Sequence, residues 1–131
     1  MTQEEKELLL KDLCVRLPYG VLIELDYLCN DEWQSKYPTN KDVDTLKTID
    51  LNEELVVTNG YSSYDIEEIK PYLRPMSSMT EEEIGHCNYL LFHMEDSLSY
   101  YDYLNSIHID YRGLIPMGLA LEAPEEMYKK D

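Results

Sequence analysis

His86 and His93 stand seven residues apart in a stretch with helical apolar spacing. That spacing puts both imidazoles on one side of a helix but separates them by roughly 10 Å along its axis, too far to share one zinc ion. Exposed or cap-satisfying histidines are the expected alternative. Cys14, Cys29 and Cys87 are odd in number and contain no C-x-x-C pair. Cys14 and Cys87 fall on apolar helix stripes, where a thiol behaves as a small hydrophobe. Cys29 stands beside Asn30 and Asp31, and an acidic neighbour raises a thiol pKa instead of activating it. The 27 carboxylates make adjacent pairs inevitable; Glu53/Glu54, Glu67/Glu68 and Glu125/Glu126 read as solvated turns, not as acid and base. There is no P-loop, G-x-G-x-x-G, G-x-S-x-G or H-E-x-x-H motif. No catalytic, cofactor or metal residue is therefore assigned, and a small enzyme with an unrecognised site is the third of three functional readings.

Two other features point to binding. Twelve of the aromatics are tyrosines, with only Trp33 and Phe92 beside them. The segment SYYDYLNSIHIDY gathers Tyr100, Tyr101, Tyr103 and Tyr111 with Asp102 and Asp110, and tyrosine among short polar residues is common at protein interfaces. Its alternative is a set of rings half in the core and half exposed. The polar stretch from Asn30 to Asn40 carries Trp33 and Tyr37 four apart, as an aromatic loop bordering a peptide groove or with Trp33 as a core plug. The candidate protein-binding surface is thus Trp33, Tyr37, Tyr100, Tyr101, Tyr103 and Tyr111.

Charge narrows the partners. The formal net charge is −16, with 16 acids against 8 bases in residues 1–74 and 11 against 3 in residues 75–131. Both parts repel a phosphate backbone and an anionic membrane surface, so direct nucleic-acid and membrane binding are disfavoured. Acidity of this kind keeps a chain dispersed; its sharper reading is a surface that imitates nucleic acid and inhibits a basic protein. The unpaired cysteine pattern fits a reduced compartment, and MTQEEKELLLKDL is neither a signal peptide nor a membrane span, which together predict a cytoplasmic protein.

These residues need elements to position them. Thr2 and Glu5 form a T-x-x-E capping box ahead of an apolar stripe through Leu9, Leu13 and Leu17, which predicts a helix over 3–16 ended by Pro18 and Gly20. GVLIELDYL alternates with period two, and VDTLKTIDL and EELVVTNGYSSY are two more strand candidates, the last with Asn59-Gly60 as a type I′ hairpin turn. Ile66 and Ile69 are spaced as one 3₁₀ turn ahead of a short strand that Pro71 limits to an edge or a seam. A second box, Thr80 with Glu83, opens a helix predicted over 80–96, whose core stripe is Ile84, Cys87, Leu91, Met94 and Leu98, with a break near Ser97 or Ser99 and further helix beyond. Gly113, Pro116, Gly118 and Pro124 predict a compact irregular segment, and PEEMYKKD a frayed tail.

Three blocks, MTQEEKELLLKDLCVRLPYGV, IKPYLRPMSSMTEEE and DYRGLIPMGLALEAPEEMY, resemble a family of short proteins of gut Bacteroides and their prophages or other mobile elements, for which no activity is established. The resemblance covers both ends and the junction between them, and implies a bacterial or phage cytoplasm and an accessory role. It carries over no functional residue.

The expectation is an α+β protein in one compact domain: an N-terminal helix over 3–16, a small SH3-like β barrel over 20–75 and a helical part over 80–125. Its expected role is that of a non-enzymatic protein-interaction module with an unidentified protein partner.

Overall fold

Reciprocal bonds cap the first helix as the sequence predicts: Glu5 N donates to Thr2 Oγ1 at 3.1 Å, and Thr2 N donates to Glu5 Oε1 at 2.9 Å. The computed structural model describes residues 1–25, 42–58, 63–93 and 98–128. The chain divides into two compact units, Met1–Pro71 and Tyr72–Asp131.

In the first unit, α1 (Gln3–Arg16) buries Leu9, Leu10 and Leu13 and, with them, Asp12 and Arg16. The charges are tolerated because they answer each other one helical turn apart, Arg16 Nε to Asp12 Oδ2 at 2.8 Å and Nη2 to Oδ1 at 3.2 Å. A 3₁₀ turn at Leu17–Tyr19 follows, and Gly20 ends it at φ +66°, a left-handed position that a side chain would strain. In β1 (Leu22–Leu25) the period-two pattern holds, since Ile23 and Leu25, like the preceding Val21, are buried. The strand pairs antiparallel with β2 (Asp42–Asp50), Ile23 opposite Asp44. Along β2 the register against β3 (Leu55–Thr58) shifts between Leu46 and Thr48, where the strand is irregular.

β3 pairs antiparallel with β4 (Ser63–Asp65), Val57 opposite Ser63. Asn59 and Gly60 lie outside the described residues. Asp65 then caps the 3₁₀ turn Ile66–Glu68, accepting from Glu67 N at 3.0 Å. Ile66 and Ile69, predicted from their spacing, are both buried.

β5 (Ile69–Leu73) explains the proline within it. Ile69, Lys70 and Pro71 pair antiparallel with β1, and Tyr72 and Leu73 pair parallel with β6 (Leu121–Glu122). Pro71, which has no N–H, stands where one ladder ends and the next has not begun. The strand order is β4-β3-β2-β1-β5-β6, an open mixed sheet with β4 and β6 at its edges. No pairing among the described residues joins those edges, so the sheet is not closed as the expected barrel would be.

The second unit is α+irregular around this strand end. α2 (Glu81–His93) and α3 (Leu98–Ser106) stand where the helix over 80–96 and the further helix beyond its break are predicted, with residues 94–97 outside the described set. Cys87, Leu104 and Ile109 form a small core, against which Met79, Tyr100, Tyr103, Ile107 and Tyr111 pack. The segment after Ile109 is the predicted irregular one, and Asp110 organises it by accepting from Leu114 N and Ile115 N, each at 2.9 Å.

His108 takes the left-handed position that ends α3, at φ +62°, where His108 N donates to the Asn105 carbonyl at 3.1 Å and Ile109 N to the Leu104 carbonyl at 3.0 Å; it is buried, and its ring stacks on Tyr128 at 3.9 Å between centroids. One expectation is corrected here. The predicted frayed tail is docked as far as Tyr128, whose hydroxyl donates to the Tyr72 carbonyl at 2.7 Å. A half-buried phenol gains such a partner, and the bond holds Tyr128 beside the strand end.

Candidate functional site

The start of α2 is closed by a capping box and by an ion pair to the preceding strand end. Glu83 N donates to Thr80 Oγ1 at 3.2 Å and Thr80 N donates to Glu83 Oε1 at 2.9 Å, the second capping box. The same carboxylate accepts both ends of the Arg74 guanidinium, Nη2 at 2.7 Å and Nη1 at 2.8 Å. Arg74 also donates from Nη2 to the Ser78 carbonyl at 3.0 Å, which ties the strand end to the helix start. Arg74 holds Glu83 below the ordinary glutamate pKa through these hydrogen bonds, against the opposing effect of burial, with the Thr80 amide assisting. Glu83 in turn raises the Arg74 pKa.

Beyond this latch α2 is unusually bare. Cys87 is its one buried residue. Ile84, Leu91 and Phe92 are 47%, 55% and 84% exposed. At 100° per residue, Ile84, Asn88, Leu91 and Phe92 fall on one face, with Glu81 at its N-terminal end between Asn88 and Phe92. This corrects the predicted core stripe: of its five members Cys87 is buried, Ile84, Leu91 and Leu98 are exposed, and Met94 lies outside the described residues. In α3, Leu98 is 75% exposed and shares a face with Tyr101 and Asp102, both also exposed.

The other flank of α2 is aromatic. His86 meets the Tyr103 ring of α3 edge-on at 4.3 Å, and Tyr89 lies between the imidazoles, 6.4 Å from His86 and 4.5 Å from His93. Among the described residues no three His, Cys, Asp or Glu side chains gather as metal ligands would.

The tyrosine cluster is assembled in part. Tyr100 and Tyr101 meet at 5.3 Å, and Tyr101 meets Tyr111 at 5.2 Å. Tyr111 donates to Asn105 Oδ1 at 2.9 Å, and Arg112 lies 5.1 Å from its ring centre. Tyr100, Tyr103 and Tyr111 are half-buried against the small core, and Tyr101 alone among the four is exposed. Burial raises the phenol pKa of Tyr100 and of Tyr103. Trp33 and Tyr37 lie outside the described residues. The thiols are poorly suited to nucleophilic attack: burial raises the pKa of Cys87, with Glu83 adding to it, and Cys14, predicted on an apolar stripe, is exposed, its pKa raised by partial desolvation alone.

The spacing alone did not single out Phe92, and it did not mark Ile84, Leu91 and Leu98 as exposed. One signal was available: from Pro75 to Tyr111 the chain has no Lys or Arg, while it has Glu81, Glu82, Glu83, Glu95, Asp96, Asp102 and Asp110. The two basic residues that bracket this stretch are engaged, Arg74 by Glu83 and Arg112 by donating to the Tyr111 hydroxyl at 3.3 Å.

A cleft of about 410 Å³ lies beside the latch, lined by Arg74, Ser78, Glu83, Glu122, Glu125 and Tyr128 among others. Its three carboxylates face one guanidinium, which Glu83 holds. No helix among the described residues is long and apolar enough to cross a membrane. Neither a family model, nor a curated protein, nor a solved structure is similar to this chain.

Proposed function

We propose that the chain is a non-enzymatic protein-interaction module that engages its partner through the apolar face of α2. The observation that carries this reading is the exposure of Ile84, Leu91 and Phe92 on one side of a helix whose only buried residue is Cys87. Covering a Leu or Phe side chain is worth about 1.5–3 kcal/mol, and single scattered apolar residues do not offer the three together. Tyr101 and Leu98, exposed on α3, extend the apolar surface of the same unit. A bacterial or mobile-element cytoplasm, as the resemblance implies, is the setting proposed.

An SH3-like arrangement of the strands in the first unit is part of the proposal. The run β4-β3-β2-β1-β5 and the 3₁₀ turn between β4 and β5 support it, since a strand, one tight turn and a final short strand is how small SH3-like barrels close.

The test is a photo-crosslinking phenylalanine analogue at position 92 in the full chain, expressed in the cells that naturally make it. One dominant protein adduct is expected, lost on Ile84→Asp and absent when the analogue replaces the exposed Val43. Equal labelling from positions 92 and 43 would sink the docking face. A partner indifferent to Ile84→Asp and released by moderate salt would favour the acidic inhibitor instead.

A further inference from the structure

Resting on that reading, we infer that the segment seated on α2 is an amphipathic helix of another protein, apolar on one side and bordered by Lys or Arg. Ile84, Leu91 and Phe92 lie along one helix face over roughly 10–12 Å of axis, at 1.5 Å rise per residue, which matches about two turns of a facing helix. Apolar anchors repeating at one turn and two turns on the partner fill such a stripe.

Charge selects the partner. Glu81 lies on the face itself at its N-terminal end, between Asn88 and Phe92 around the helix, Glu82 is exposed on the same first turn, and no Lys or Arg stands anywhere between Arg74 and Arg112. Arg74, at the foot of the helix, is held bidentately by Glu83 and leaves the field of the other carboxylates in place. A cationic border therefore meets the carboxylates of Glu81 and Glu82, and like-charge contacts exclude an acidic one. A second copy of this chain would set Glu81 and Glu82 against acids of its own kind and bring together two chains of net charge −16. An anionic lipid surface is repelled for the same reason.

The experiment titrates the full chain with a synthetic helical peptide carrying Leu along one face and Lys along both borders, and with the same peptide carrying Glu in place of Lys. Affinity is read by fluorescence anisotropy and location by backbone amide shifts. The Lys peptide is expected to bind, to shift the amides of 84–92, and to lose roughly thirty-fold in affinity on Phe92→Ala, the loss of an interface hot spot. Its binding weakens as salt rises from about 0.1 M to about 1 M, where the screening length falls from roughly 10 to roughly 3 Å. E81K with E82K is expected to reverse the preference toward the Glu peptide. Phe92 is exposed, so its truncation leaves the core intact.

Glu-peptide binding as tight as Lys-peptide binding overturns the basic border, and an adduct at position 92 in cells would then still uphold the docking face. Lys-peptide binding that is unchanged by Phe92→Ala reports diffuse attraction to an acidic chain and overturns the inference. Binding to anionic vesicles in preference to the Lys peptide overturns it as well, as does binding of neither peptide.

Discussion

α1 and α2 begin with the same four-residue box, Thr2 with Glu5 and Thr80 with Glu83, each closed by reciprocal bonds within 3.2 Å. From that common start they diverge. α1 buries three leucines and a complete ion pair, whereas α2 buries Cys87 alone and leaves a phenylalanine in water. The difference does not lie in helix formation, which capping and acidic first turns favour in both. It lies in what each helix is given to pack on, and substitutions on the two helices therefore separate stability from binding.

The largest effect is expected at Asp12. Asp12→Ala leaves the fully buried Arg16 guanidinium without its bidentate carboxylate, which costs about 3–5 kcal/mol when a buried pair is broken from one side. Urea unfolding checks it; a loss below about 1 kcal/mol, the scale of an exposed pair, would mean that the pair is effectively solvated.

The leucines sharpen the contrast with matched chemistry. Leu13→Ala, at a fully buried site, is expected to lower stability by about 2–5 kcal/mol through lost transfer energy and a cavity. Leu91→Ala, at a half-exposed one, is expected to stay within about 0.5 kcal/mol. Thermal melts of both variants decide the matter, and equal losses would erase the distinction between the helices.

Glu83 is where α2 does contribute to stability. Glu83→Gln removes charge from the bidentate contact with Arg74 and is expected to cost up to about 1.5–3 kcal/mol, the range for a hydrogen bond to a charged group. Because Arg74 lowers the folded-state pKa of Glu83, the stabilisation is complete above the ordinary glutamate pKa and disappears as pH falls through the lowered folded value. Stability measured from neutral to acid pH therefore declines less in Glu83→Gln than in the natural chain. A parallel decline in both would show that the pair sets no part of the acid limit.

What could be read from the residues follows the range of the interactions. The boxes at Thr2 and Thr80, the 3₁₀ spacing of Ile66 and Ile69, the period of β1 and the helix stop at Pro18 and Gly20 are local, and each is where its spacing places it. β6 escapes because two residues have no period; Leu121 and Glu122 become a strand only beside Tyr72 and Leu73. Tyr128 escapes because its partner carbonyl, Tyr72, is far away in sequence. The stripe Ile84, Leu91, Leu98 misleads for a different reason. Apolar periodicity identifies a helix face but not what stands opposite it, and a docking face and a core face have the same pattern. Half of the tyrosine surface was legible as a cluster, yet its depth was not: Tyr101 is exposed while Tyr100, Tyr103 and Tyr111 lean on the small core around Leu104.

Phe92 provides the smallest stability effect and the most direct test of that ambiguity. A phenylalanine 84% exposed has little burial to lose, so Phe92→Ser is expected to change unfolding free energy by no more than about 0.5 kcal/mol. If the side chain belonged to a core face, the same substitution would cost as a truncated core aromatic does, about 3–5 kcal/mol. The two outcomes differ several-fold, and a single melt separates them. Stability retained together with a lost partner adduct would place the selective pressure on Phe92 in the interface and not in the fold; stability lost would return α2 to the side of α1.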